Sequence, residues 1–107
     1  MYQVEIAKVA QWDLLEAYDF YEMQRAGLGD DLVLCYEEAL QVIKRNPFFE
    51  IRVDNIRAYN IRRFPYQLFY EIHGERIIVI AFLYGRRDPN TWQSRMIWAT
   101  TNTTNTK

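Results

Sequence analysis

Seven consecutive apolar residues, Ile77-Ile78-Val79-Ile80-Ala81-Phe82-Leu83, stand just after the pair Gly74-Glu75. A run of this length is far short of the roughly 18 residues a membrane-spanning helix requires, and it is bounded by a turn signal, so it predicts a strand. Such a strand has no polar face for water. It must lie in the middle of its sheet or be covered on both faces. Its partner is the preceding stretch Gln67 to His73, with Gly74-Glu75 as the tight turn of a hairpin whose second strand is Arg76 to Tyr84. Another strand, Ile56 to Phe64, comes before Pro65, which breaks it. Together the three make an antiparallel meander.

The chain upstream supplies the layer that covers this sheet. Tyr2 to Ala7 alternates, with Tyr2, Val4 and Ile6 against Gln3, Glu5 and Ala7, and predicts a short first strand. From about Ala10 to Ala26 the pattern turns helical, with Leu14, Ala17, Tyr18, Tyr21 and Arg25 three and four residues apart and Asp13, Glu16 and Glu22 between them. Gly27 provides the left-handed residue that commonly ends a helix. A second helix is predicted from about Gly29 to Asn46, where Leu32, Cys35, Tyr36, Ala39, Leu40 and Ile43 form an apolar stripe. Asp30 and Asp31 at its start and Lys44 and Arg45 in its last turn complement the helix dipole, and Pro47 stops it. The short Gly-Leu-Gly link makes the two helices an antiparallel hairpin. A loop spans Phe48 to Asn55. The expected architecture is an α+β two-layer sandwich in a single domain over residues 1 to 99, with a disordered Thr/Asn-rich tail from Thr100 to Lys107.

Several function classes drop out. The 107 residues, half of them hydrophobic, suit one core, and four glycines and three prolines leave little room for linkers. No secretion signal is visible in Met1-Tyr2-Gln3-Val4-Glu5 and no stretch could span a membrane, so a cytoplasmic protein is expected. One cysteine, Cys35, and one histidine, His73, are too few for a disulfide or a zinc set, and no cofactor motif is present. Gly27-Leu28-Gly29 lacks the lysine and hydroxyl residue of a phosphate-binding loop and reads as a helix link. Cys35 falls on an apolar stripe and reads as core. His73, at the mouth of the hairpin, is a candidate general acid or base or an ordinary surface residue.

Charge is divided unevenly along the chain. Residues 1 to 50 hold four bases against ten acids, and residues 51 to 107 hold nine bases, eight of them arginine, against four acids. Two arginine pairs stand out. Arg62-Arg63 closes a strand before Phe64-Pro65-Tyr66, and Arg86-Arg87 follows the last strand. In a three-strand meander these two points fall at the same end of the sheet, so the pairs can converge with Tyr66 and Trp92 into a surface for phosphate or an acidic peptide. Adjacent strand residues face opposite ways, which leaves one of Arg62 and Arg63 for a common site, with Arg63 favoured. The alternative for these pairs is that Asp88 pairs with Arg86 or Arg87 and the rest are solvated, and for the charge asymmetry as a whole it is ordinary surface ion pairing with the acidic first half.

The segments "AYDFYEMQRAGLGDDL", "IRRFPYQLFYEI" and "IIVIAFLYGRRDPNTW" together resemble the RelE/ParE superfamily, the toxins of type II toxin-antitoxin modules. The resemblance covers roughly residues 2 to 92. It implies a small α+β toxin neutralised by a cognate antitoxin, with Trp12, Tyr18 and Tyr21 of the first helix as antitoxin contacts, although core packing accounts for these rings equally well. Two activities occur in the superfamily. RelE-like members cleave messenger RNA on the ribosome, and for such an endoribonuclease Arg62, Arg63, Arg87 and His73 would be the catalytic residues. Ala58-Tyr59-Asn60 has no lysine where that group carries one, Gln67 replaces an arginine, and Trp92-Gln93 stands where a tyrosine is expected. ParE-like members poison DNA gyrase without a catalytic set, and the Arg-Arg-Asp-Pro ending is more similar to theirs. On that reading the target-binding residues are Arg63, Tyr66, Arg86, Arg87 and Trp92. An inactive relative acting as a binding module is the further alternative.

Overall fold

The computed structural model describes residues 2 to 85. Strand β1 (Gln3–Ile6) leads into helices α1 (Lys8–Gln24) and α2 (Leu28–Arg45), followed by strands β2 (Ile51–Val53), β3 (Ile56–Asn60), β4 (Tyr66–His73) and β5 (Arg76–Tyr84). The five strands form one sheet in the order β1-β5-β4-β3-β2, with β1 parallel to β5 and the other neighbours antiparallel. The expected strand, helical hairpin and meander are all present. The predicted tail from Thr100 lies outside the described residues.

The apolar run has the central place its composition requires. β5 sits between β1 and β4, and Ile77 through Leu83 are all buried. Gly74 takes the left-handed conformation, φ 63°, that the tight turn before β5 demands. Two elements differ from expectation. Ile51–Val53 forms an edge strand inside the predicted loop, and β3 ends at Asn60 rather than Phe64 because residues 62 to 65 bend away from the ladder.

α2 buries Leu32, Cys35, Tyr36, Ala39 and Ile43 as the stripe predicts, so Cys35 is core. α1 is less ordinary. It turns the small residues Ala10 and Ala17, together with Asp13, inward against the core, and leaves Trp12, Leu15, Phe20 and Met23 exposed. Small side chains let the helix axis approach the sheet closely. The link between the helices depends on a carboxylate that the periodicity places among solvated positions. Glu22 of α1 accepts the backbone N–H groups of Gly27 and Gly29, each at 2.9 Å, and so caps the start of α2, where no residue of α2's own supplies a side-chain cap. Gly27 is the left-handed residue there, φ 91°.

Candidate functional site

The turn between β3 and β4 holds the first arginine pair. Ile61 N–H donates to the Tyr66 carbonyl and Tyr66 N–H to that of Phe64, while the buried Phe64 ring packs edge-on to Tyr21 at 5.0 Å and anchors the turn. Arg63 takes a left-handed conformation, φ 71°. That kink cancels the strand alternation expected of Arg62 and Arg63. Both side chains reach the same element, helix α2: Arg62 Nε donates to Glu38 Oε1 at 2.6 Å, and Arg63 Nη2 lies 3.6 Å from Asp31 Oδ2. The hydrogen bond to Glu38 also holds the Arg62 guanidinium more firmly in its charged form. Asp31, Leu34, Cys35, Glu38, Arg62 and Arg63 line one small cleft. The uneven charge of the two halves is therefore met, at this turn, by ion pairing within the chain.

On the other side of the turn lies a second cleft of about 440 Å³, lined by Asn60, Phe64, Pro65, Tyr66, Gln67 and Gly85. Gln67 Nε2 donates to Asn60 Oδ1 at 2.7 Å, so the amide that stands in an arginine's place is engaged with a neighbour across the ladder. Tyr66 stacks on Phe82 at 4.9 Å and meets Tyr84 edge-on at 6.0 Å. Gly85 N–H donates to the Pro65 carbonyl at 2.8 Å. Gly85, the last described residue, is thus fixed beside the turn that carries Arg62 and Arg63. Arg86, Arg87 and Trp92 themselves lie outside the described residues.

His73 stands elsewhere. It closes β4 while Tyr66 opens it, and seven residue steps of extended chain separate the two by about 24 Å. Its Nε2 is 2.6 Å from Glu71 Oε1, a carboxylate buried on the same face of the sheet. A general acid or base at His73 cannot reach a phosphate held at Arg62 and Arg63.

The three aromatic residues expected to meet an antitoxin separate as well. Tyr21 is partly buried and packs against the core, edge-on to Phe20, Phe64 and Tyr66. Trp12 is 69% exposed. Tyr18 lines an apolar groove of about 430 Å³ between α1 and α2, together with Gln11, Leu14, Leu15 and Val33. The neighbouring acids Asp30 and Glu22 push the Tyr18 phenol up from its ordinary pKa. Gln11, Leu15 and Val33 are groove residues that the helix patterns did not single out; the exposure of Leu15 follows from the inward turn of Ala10, Asp13 and Ala17. No group of histidine, cysteine and acidic side chains able to hold a metal occurs among the described residues.

The family model described as the ParE toxin of the type II toxin-antitoxin system, parDE, matches residues 4–89. The chain belongs to the ParE toxin family. Among solved structures, a chain titled "Chromosomal ParDE TA system from P. aeruginosa" is similar with a TM-score of 0.69 and 17% identity, covering 77% of this chain and 94% of that one. No curated protein matches. As a ParE family member the protein is the toxin component of a type II module with a cognate antitoxin as partner. No helix among the described residues is long and apolar enough to cross a membrane.

Proposed function

We infer that this ParE-family chain arrests bacterial growth in the cytoplasm by acting on DNA gyrase, not by cutting ribosome-bound message. The observation that carries this reading is the separation of the residues a ribonuclease would need. Transesterification of RNA requires a group to take the 2′-hydroxyl proton and cations to stabilise the phosphorane within one site. Here His73 is at one end of β4 and Arg62 and Arg63 are at the other, both tied to α2. Gln67 is bound to Asn60. A stoichiometric poison needs a binding surface instead, and we assign that role to the end of the sheet carrying Tyr66 and Gly85, after which Arg86 and Arg87 follow in the sequence.

The antitoxin docks on the helical layer. The groove lined by Leu14, Leu15, Tyr18 and Val33 offers an apolar seat, and the acids Asp30, Glu22 and Asp19 lie close to its Tyr18. An apolar segment flanked by lysine or arginine fits both features.

The test is controlled expression in a bacterial host, with message cleavage mapped by primer extension and the DNA-damage response followed in the same culture. Arrest with damage, intact messages and inhibition of purified gyrase by the purified chain is the expected result. Codon-positioned cuts on translating ribosomes would make the chain a ribonuclease, and harmless expression with retained antitoxin binding would make it an inactive relative.

A further inference from the structure

Two exposed patches on the described surface combine apolar with charged side chains, and their charges are opposite. The first runs along α1. Trp12, Glu16, Phe20 and Met23 follow one another at steps of four, four and three residues, so they form one strip of the helix, and Asp19 stands beside it. Trp12, Phe20 and Met23 are each more than half exposed, and none of them lines the groove between the helices. Glu16 and Asp19 are exposed too. From Val9 to Gln24 the chain has no lysine or arginine, which makes the strip apolar and acidic.

The second patch lies where α2 gives way to β2. Phe48 and Ile51 are again more than half exposed. The Arg57 guanidinium is held 5.2 Å over the Phe48 ring while its Nη1 donates to the Phe49 carbonyl at 2.8 Å, and Arg57 is the cross-strand partner of Ile51. No carboxylate among the described residues pairs with Arg57. A half-buried guanidinium fixed in place without a counter-ion is a ready partner for one. Lys44 and Arg45 end α2 just before Phe48, and Arg52 adds a further base against the acids Glu50 and Asp54. This patch is apolar and basic.

We propose that the two patches bind each other between copies of this chain, the α1 strip of one molecule seated on the Phe48 and Arg57 patch of the next. Clustered exposed apolar side chains mark contact surfaces, and here each patch supplies the charge that the other lacks. Glu16 and Asp19 offer the carboxylates that Arg57 is without. The same charges exclude the alternative pairing of strip with strip, which would set acids against acids. Both patches are exposed at once on one molecule, so they meet only between molecules. The contact joins two different surfaces and is therefore head-to-tail, leaving a free strip at one end and a free basic patch at the other unless the copies close into a ring. The inference depends neither on which target the toxin strikes nor on where the antitoxin docks.

The experiment uses the full chain, made by cell-free synthesis so that toxicity does not interfere, in sedimentation velocity over a series of concentrations. The average mass is expected to climb above that of the monomer as concentration rises and to fall back as salt is added. Two variants at exposed positions, which leave the core untouched, separate the surfaces. Phe48→Asp spoils the basic patch and gives Arg57 a counter-ion of its own, and Trp12→Ser with Glu16→Gln spoils the strip. Each variant alone should associate at least about tenfold more weakly than the parent, with the parent's circular dichroism. Mixed, the two should form a one-to-one dimer and nothing larger, because each retains the surface that the other has lost. A parent that stays monomeric at every concentration would overturn the proposal, and binding of a synthetic glutamate- and leucine-rich peptide by that monomer, lost in Phe48→Asp, would assign the patch to an acidic partner instead. Association that neither variant weakens, or a mixture that fails to pair, would overturn it equally.

Discussion

The carboxylate of Asp13 on α1 accepts the backbone N–H of Phe82 on β5 at 3.0 Å, beside the point where β5 carries one residue more than β4 opposite it. Phe69 pairs with Ala81 and Tyr70 with Val79, so Ile80 is the extra residue of a bulge that locally disrupts the ladder. A helix side chain meets an amide of the sheet at that irregularity. Removing it leaves a buried donor without this acceptor, which typically costs 1–3 kcal/mol. Asp13→Ala is expected to lower unfolding stability by about 2 kcal/mol, and Asp13→Asn, which keeps an acceptor oxygen, by about half as much. Urea midpoints at unchanged m-value would measure both. Equal losses for the two variants would mean that the charge, not the acceptor, is what β5 requires.

Two buried tyrosines should behave oppositely at neutral pH and alike in alkali. The Tyr70 hydroxyl donates to the Pro47 carbonyl at 2.7 Å, whereas the Tyr36 hydroxyl finds no hydrogen-bond partner among the described residues. Burial pushes both phenols up to about 12, with the nearby Asp13 charge adding to the effect at Tyr36. At pH 7, Tyr70→Phe is expected to cost about 1 kcal/mol, and Tyr36→Phe to be neutral or stabilising. In the unfolded chain a tyrosine loses its proton near pH 10, while the folded chain holds it to about 12. The stability attached to each group is therefore complete below pH 10 and declines as pH rises toward 12, by up to about 2–3 kcal/mol per tyrosine. Denaturation series between pH 9 and 12 should show each Phe variant losing stability less steeply than the parent.

What the sequence makes legible follows from how local the signals are. The bounds of β5 are readable to the residue, because Gly74-Glu75 and an unbroken apolar run leave no other choice. Helix α2 is readable because its stripe and its terminal charges agree. β2 escapes notice because three residues, Ile51-Arg52-Val53, are too few to show a period, and they become a strand only through pairing with β3. The inward position of Asp13 and the cap by Glu22 are equally invisible, since each carboxylate satisfies amides far along the chain or around a turn. The candidate site shows the same division. Local patterning identifies Arg62 and Arg63 as a pair, but the left-handed turn at Arg63 and the acids on α2 decide where they point. His73 can be recognised as the sole histidine, yet only strand length separates it from the arginines.

Gly29 is a point of close approach between the two helices. A β-carbon there would stand 2.8 Å from both the Tyr18 carbonyl and its ring, and 2.9 Å from the capping carboxylate of Glu22. One of those atoms belongs to the backbone and cannot swing aside. Gly29→Ala is expected to destabilise by about 2–3 kcal/mol, as overpacking does when the neighbours are fixed. Gly27→Ala meets no atom within 4 Å but must hold φ 91°, which costs about 1 kcal/mol. The order of the two midpoints in urea separates crowding from backbone strain. A Gly27 variant weaker than the Gly29 variant would show that the hinge conformation, and not the helix contact, limits the hairpin.

Glu5 and Arg76 join the parallel edge strand β1 to β5 through two hydrogen bonds, Nε to Oε2 at 2.7 Å and Nη2 to Oε1 at 2.8 Å. The hydrogen bond from Arg76 is the main cause that holds the Glu5 carboxyl below its ordinary value of 4.5. A carboxylate whose folded pKa is depressed contributes stability above its unfolded pKa and loses it as pH falls through the folded one. Both side chains are about half exposed, so solvent screening keeps the pair's contribution within about 1 kcal/mol. Glu5→Gln is therefore expected to lower stability slightly at pH 7, to shrink that difference below pH 4.5, and to lose most of it in molar salt. Urea midpoints at pH 7 and pH 3, each at low and high ionic strength, test this. A deficit that stays constant across all four conditions would assign the role of Glu5 to packing at the sheet edge instead of to its charge.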